Sequence, residues 1–213
     1  MHIFITGTDT HIGKTLISSW LCLQTGFDYY KPIQTGSSEE TDTETLSYLC
    51  NHATRTHKER YCLKAPLSPH LAANLEKKTI NINNITLPTS QRLIVEGAGG
   101  LLVPLNEKHL MIDLIKKLDI PVILVASSRL GTINHTLLSL ESLKARHIKT
   151  LGVILNGKCN QANCDAIAFY GSTVILAQMR FLVDVQSSIL QKIPLTQSLK
   201  KLFGVKNDKF TNS

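Results

Sequence analysis

Near the amino terminus the apolar run His2-Ile3-Phe4-Ile5-Thr6 leads straight into Gly7-Thr8-Asp9-Thr10-His11-Ile12-Gly13-Lys14-Thr15, and an apolar helical stretch, Leu16 to Leu23, follows at once. That order of strand, glycine-containing loop and helix fixes how the chain starts to fold. The loop turns the backbone so that the helix packs on the face of its own strand, and the unpaired N–H groups of the first helical turn face back into the loop. Glycines in such a loop let successive N–H groups converge on phosphate oxygens, a lysine meets the outer phosphates, and the next hydroxyl holds a divalent cation. Gly13, Lys14 and Thr15 supply these parts in order, flanked by His11, Ile12 and Leu16 as further nucleotide-binding candidates. Thr8 stands where the usual G-x-x-x-x-G-K-[ST] pattern has its first glycine, and Gly7 lies just before it, so the loop is one residue longer than that pattern.

The rest of the chain repeats the same alternation. Short apolar runs at Ile3–Thr6, Tyr29–Tyr30, Leu93–Glu96, Pro121–Ala126 and Leu151–Asn156 are separated by Lys14–Gln24, Thr43–Cys50, His70–Lys77, Ile112–Leu118 and Ile133–Arg146. The intervening segments carry Leu or Ile at three- and four-residue spacing, as helices do. The expected fold is therefore α/β: one phosphate-loop domain spanning residues 1–213, with a mostly parallel sheet and helices on both faces. Ligands in such folds gather where the strands end. Each polar cluster does follow a strand: the phosphate loop, then Lys31-Pro32-Ile33-Gln34-Thr35-Gly36, then Glu96-Gly97-Ala98-Gly99-Gly100, then Asn156-Gly157. Beyond about Gly171 the pattern does not resolve into elements.

Composition narrows the function classes. Five cysteines, an odd number without framework spacing, and the absence of a signal-like start point to the cytoplasm. No apolar run approaches the roughly 20 residues that cross a bilayer, so no membrane partner is expected. The net charge of +7, with part of the excess at Lys192, Lys200, Lys201, Lys206 and Lys209, raises nucleic acid as a partner. The basic residues are scattered, however, and no recognition motif accompanies them. A field that draws in phosphorylated or carboxylate ligands accounts for the same charge.

Several side chains have the chemistry for a site. Glu96 stands at the end of an apolar strand, where a carboxylate can serve Mg²⁺; its plain alternative is a solvated strand terminus. Gly97, Gly99 and Gly100 would let backbone approach a ligand closely. Lys31, held extended by Pro32, can present its ammonium to anionic oxygens or simply sit in water. Asp42 is either a metal-side carboxylate or a helix N-cap. Cys50, His52, His57 and Cys62 have zinc-ligand chemistry, but no C-x-x-C pair occurs, and Arg55, Lys58 and Arg60 compete for the same space. Ser127 and Ser128 follow a strand without a nucleophile elbow, which argues against a serine hydrolase.

Taken together, Gly7-Thr8-Asp9-Thr10-x-x-Gly13-Lys14-Thr15, Tyr30-Lys31-Pro32, Val95-Glu96-Gly97-Ala98-Gly99-Gly100 and Leu130-Gly131-Thr132-Ile133-Asn134-His135 resemble the dethiobiotin synthetases, from residue 2 to about residue 157. The resemblance implies ATP- and Mg²⁺-dependent insertion of CO₂ between the amines of 7,8-diaminononanoate. In that scheme a carbamate is phosphorylated and the second amine displaces phosphate. It further implies Lys14 and Lys31 as catalytic cations; Thr15, Asp42 and Glu96 around Mg²⁺; and Thr10 and Thr35 on the diamine and carbamate. Gly97, Ala98, Gly99, Asn156 and Gly157 would complete the nucleotide site, Asn156 reading the adenine. Gly131 and Asn134 would receive the substrate carboxylate from the partner subunit of a homodimer. The sequence differs from the family in having Gly157 for a common aspartate, His11 for a frequent glutamate, and an unrecognisable base-covering segment near Val174 to Leu182. The alternatives are a partition-type ATPase switch and a related amidoligase; a GTPase is less apt, since no Asn-Lys-x-Asp element follows a strand.

Overall fold

The computed structural model describes residues 1–205. Lys206 and Lys209, counted above in the basic excess, lie outside the described residues, as does the end of the expected 1–213 domain. The chain runs β1 (His2–Gly7), α1 (Lys14–Thr25), β2 (Asp28–Tyr30), β3 (Ile33–Thr35), α2 (Asp42–Leu49), β4 (Thr56–His57) and β5 (Tyr61–Leu63). It continues through α3 (Pro69–Leu75), a 3₁₀ turn at Ile82–Asn84, β6 (Leu93–Gly100), α4 (Met111–Leu118), β7 (Val122–Ser127), α5 (Thr132–Ala145) and β8 (Thr150–Asn156). The described chain closes with α6 (Gln161–Gly171), β9 (Ile175–Met179), α7 (Ser187–Gln191) and α8 (Gln197–Phe203).

Seven strands form one sheet in the order β4-β2-β6-β1-β7-β8-β9, with every pair parallel, and β3 and β5 form a small parallel sheet of their own. The strands are apolar on both faces because helices cover both. Alternation within β1 shows the partition: Ile3 and Ile5 join α1, α2, α7 and α8 in one core, while Phe4 joins α3 and α4 in the other. A third cluster seats α5 and α6 on β7 and β8. Burying those side chains is what orders the helices, since a helix of about a dozen residues is marginal alone. Local signals set the ends. Helix α1 stops at Gly26, whose φ of 68° lets its N–H return to the Cys22 carbonyl. Helix α2 starts with a capping box between Thr41 and Glu44.

All five expected strands and all five expected helices form, with boundaries that move by at most two residues, apart from β6. That strand runs on through the glycines to Gly100, so Glu96 lies inside it and not at its end. β1 pairs with it in register at Ile5–Glu96 and again at Gly7–Gly100, which holds the glycine run in the ladder. Among the described residues, no helix is long and apolar enough to cross a membrane.

Candidate active site

The site forms at the carboxyl side of the sheet, where β2 ends beside the middle of β6 and β1 passes into the phosphate loop. Parallel register sets Tyr30 of β2 beside Val95 of β6, and Ile5 of β1 beside Glu96, so Lys31, Glu96 and the phosphate loop emerge together at one edge of the sheet. Thr15, one residue into α1, sits over that edge. Its hydroxyl donates to both Asp42 Oδ1 at 2.6 Å and Glu96 Oε1 at 2.9 Å, one proton shared between two carboxylates. The Lys31 ammonium bridges the same pair, 3.0 Å from Asp42 Oδ2 and 3.1 Å from Glu96 Oε1, and reaches the Gly97 carbonyl at 3.4 Å. Glu96 is 1% exposed and Lys31 3%, so this is a buried charge cluster and neither residue is the solvated terminus or idle surface lysine that the sequence left open.

A buried carboxylate is tolerable only when its lone pairs are satisfied. Glu96 achieves this through four donors. Ser18 at 2.8 Å and Tyr29 at 3.1 Å hold Oε2, while Thr15 and Lys31 hold Oε1. Burial works to lower the Lys31 pKa, but the charges of Glu96 and Asp42 and their hydrogen bonds outweigh it, and the pKa rises. Burial likewise works to raise Asp42; the Lys31 charge, with hydrogen bonds from Thr15, Lys31 and Gln34, holds its carboxyl below the usual range. The Tyr29 phenol is pushed well up by burial and by the charge of Glu96, so it stays a donor.

Lys14 folds back over its own loop and donates to the Asp9 carbonyl at 2.7 Å. Its ammonium is lowered to about 8, first by burial and then by Lys31, against the opposing pull of Glu96. Gly13 caps α1 in the left-handed region, with φ 90°. An open cleft of about 710 Å³ joins these parts, lined by Thr10, His11, Gly13, Lys14 and Thr15 from the loop and by Lys31, Thr35, Asp42, Glu96, Ala98 and Gly99 opposite. A hydroxyl and two carboxylates meeting beside a phosphate loop form an all-oxygen donor set that fits Mg²⁺, which takes few protein carboxylates and keeps waters and phosphate oxygens.

Other expectations land differently. The N-cap of α2 is Thr41, so Asp42 at the first helical position is free to face Thr15 and Lys31. Gly97 answers a packing need more than a ligand's, since a Cβ there would lie 2.9 Å from the Phe4 ring. The Ile12 side chain is buried in the core and the partly buried Leu16 packs against the same core. Gly131 and Asn134 are exposed at the start of α5, after β7 on the far side of β1, and do not line this chain's cleft. Asn156 turns towards the phosphate loop, donating from Nδ2 to the Ile12 carbonyl at 2.9 Å. Cys50 is buried and directed at the Ser19 carbonyl, Cys62 is exposed, His52 meets Ser47 and His57 pairs with Asp28, so these four do not converge.

Sequence reasoning missed Ser18, Tyr29 and Gln34. Ser18 carried a signal, because it lies three residues after Thr15 and thus on the same helical face. Tyr29 carried none, since an aromatic in a buried strand reads as core. Gln34 uses Oε1 to accept the Asp42 N–H at 3.1 Å, a contact made only once β3 and α2 pack.

This fold and cleft define a phosphate-loop ATP-dependent domain, and residues 1–188 match a family model described as an AAA domain. The chain is 59% identical to an ATP-dependent dethiobiotin synthetase of Lawsonia intracellularis, over 96% of this chain and 100% of that protein. It is 48% identical to a protein of the same name from Paramagnetospirillum magneticum, over 90% and 94% of the two. The chain belongs to the ATP-dependent dethiobiotin synthetase family. Among solved structures it is similar to the cell-division protein MinD of Aquifex aeolicus, with a TM-score of 0.54 at 12% identity over 97% of this chain and 98% of that one. That likeness shows the shared fold alone, and the partition-type switch gains nothing further from it.

Proposed function

We propose that this chain joins CO₂ to 7,8-diaminononanoate with ATP and Mg²⁺, yielding dethiobiotin, ADP and phosphate in the cytoplasm. An amine of the substrate attacks CO₂ and loses a proton, giving a carbamate. A carbamate oxygen then attacks the γ-phosphorus, ADP leaves, and the second amine closes the ring on the carbonyl carbon as phosphate departs. Negative charge builds on carbamate and phosphoryl oxygens while no protein nucleophile is needed, so fixed cations are the effective catalysts. Lys14 is one residue from the Gly13 turn, and Lys31 stands across the cleft from it. Thr15, Asp42 and Glu96 would hold Mg²⁺, which supplies charge neutralisation on the phosphates when bound. Thr10 and Thr35, both on the cleft, serve the diamine and carbamate.

The observation that carries this reading is the buried Lys31 ammonium fixed between Asp42 and Glu96 at the cleft floor. A cation so held does not reorganise as charge develops. The substrate carboxylate falls to the free N–H groups at the α5 start of a partner subunit, which is why Gly131 and Asn134 lie off their own cleft and why the active species is a homodimer. Phosphate release from ATP should require both diaminononanoate and bicarbonate. Hydrolysis indifferent to the diamine would refute the synthetase assignment.

A further inference from the structure

We infer that Asn156 is a positioning residue for the phosphate loop, acting on the nucleotide's phosphates through the loop backbone. The inference rests on reading residues 7–15 as the phosphate site. Asn156 ends β8, two strands from β1, and its Nδ2 donates to the carbonyl of Ile12 at 2.9 Å. The reverse amide orientation would set two oxygens against each other, so the contact fixes which way the amide points. Ile12 O and Gly13 N belong to one planar trans peptide unit, in which C=O and N–H point in opposite directions. Holding the carbonyl towards β8 therefore turns the Gly13 N–H away from β8. That N–H has no acceptor among the described residues. Gly13 itself faces the cleft together with Lys14 and Thr15, so its donor is available to an anion there.

Contact adds to the hydrogen bond. A Cβ on Gly13 would lie 2.1 Å from Asn156 Nδ2, so the amide nitrogen is packed directly against the glycine. The Gly13 φ of 90° belongs to a region where the peptide plane is easily turned when nothing holds it. β8 in turn is anchored, with the Asn156 carbonyl accepting from Ser128 N at 3.0 Å and the next residue, Gly157, donating to Met179 O at 2.9 Å. The loop is thus braced against a strand already locked on both sides. Among the described residues only one N–H of the amide is used, and the Oδ1 and the second N–H have no partner there.

A ligand that has phosphates and no base separates this role from base reading. Magnesium tripolyphosphate and Mg-ATP are titrated calorimetrically into the parent, Asn156→Ala, Asn156→Asp and Lys14→Ala proteins. Positioning predicts that Asn156→Ala weakens tripolyphosphate and ATP by a similar factor of about 5 or more, the worth of one braced hydrogen bond, with the ATP-to-GTP affinity ratio unchanged. Asn156→Asp, which keeps the volume but loses the donor, should be at least as weak for tripolyphosphate. Unchanged tripolyphosphate binding in both Asn156 variants, with ATP binding weakened, would overturn the inference and assign Asn156 to the base alone. If Lys14→Ala also left tripolyphosphate binding intact, the phosphate-loop reading would fall, and the inference with it.

Discussion

Replacing Lys31 by alanine removes the only ammonium among the described residues that touches both Asp42 and Glu96, and the structure says what each carboxylate can do next. The Asp42 side chain is 35% exposed and can turn to water, whereas that of Glu96 is 1% exposed and cannot. Breaking a buried pair from one side costs about 3–5 kcal/mol, and the escape open to Asp42 puts this case near the lower end. A loss of about 3 kcal/mol lowers the melting temperature of a domain this size by roughly 6–12 °C without unfolding it. Turnover should fall further than stability, by at least about 10²-fold, because the charge that develops on the carbamate and phosphoryl oxygens loses a fixed partner.

Two controls expose the cause. Asp42 is held below its usual range, so the stability it contributes is present above the ordinary carboxylate pKa and is lost as pH falls through its folded value. The gap in melting temperature between parent and Lys31→Ala should therefore narrow at acid pH, where the parent's advantage disappears. Lys31→Met, which restores volume without charge, should recover part of the stability and none of the turnover. Thermal melts across pH and phosphate release at saturating substrates test both. Near-normal turnover in Lys31→Ala, or a melting gap that widens in acid, would refute the reasoning.

Glu96→Gln and Asp42→Asn keep shape and remove charge, so each should raise the Mg²⁺ concentration needed for half-maximal turnover more than it changes the diamine KM; superimposable magnesium titrations would reject the metal role. Because burial lowers Lys14 to about 8, it is charged below that value and neutral above it, and kcat/KM for ATP should decline as pH rises through about 8; a profile flat across that value removes Lys14 as the responsible group. Crowding Gly131 or altering Asn134 should weaken diamine binding and spare nucleotide binding, and an active monomer in sedimentation would count against a partner-supplied carboxylate site. Turnover with ATP, GTP and CTP at equal subsaturating concentrations should differ by about 10-fold or so, and a preference above about 10³-fold would show a base hydrogen bond that Gly157 lacks.

The phosphate side of the site was legible because its signal is local. Gly13, Lys14 and Thr15 sit within one turn, and a strand before them and a helix after them fix their direction. Lys31 was legible as a strand-end residue and Glu96 as a carboxylate closing an apolar run, although its strand continues to Gly100; their pairing depends on β2 and β6 being neighbours, a fact of sheet order that no segment carries by itself. The donors behind Glu96 were hidden for the same reason. Tyr29 looks like any buried strand aromatic until the register puts it against a carboxylate. Elements β3, β4 and β5 escaped because two or three residues are too few to show a period, and the 175–205 stretch because its helices are five to seven residues long.

The difference at residue 157 follows from its neighbour across the sheet. Gly157 has a φ of 127°, and a Cβ there would lie 2.5 Å from Ser128 Oγ, so an aspartate would meet both backbone strain and overlap. Ser128 donates its own N–H to the Asn156 carbonyl, which ties the two strand ends together. Accepting a carboxylate at residue 157 would thus require turning the Ser128 hydroxyl aside and holding a side chain at a φ that only glycine adopts readily. In the segment beyond it, Arg180 follows β9 directly, the Asp184 carboxylate accepts from Gln186 Nε2, and Phe181 and Val183 stand 72% and 95% exposed. Such side chains can cover a base by contact but cannot tell one base edge from another. On the proposed reading, the nucleotide contacts concentrate at the phosphate end, where Gly13, Lys14 and Thr15 meet the inferred Asn156 brace.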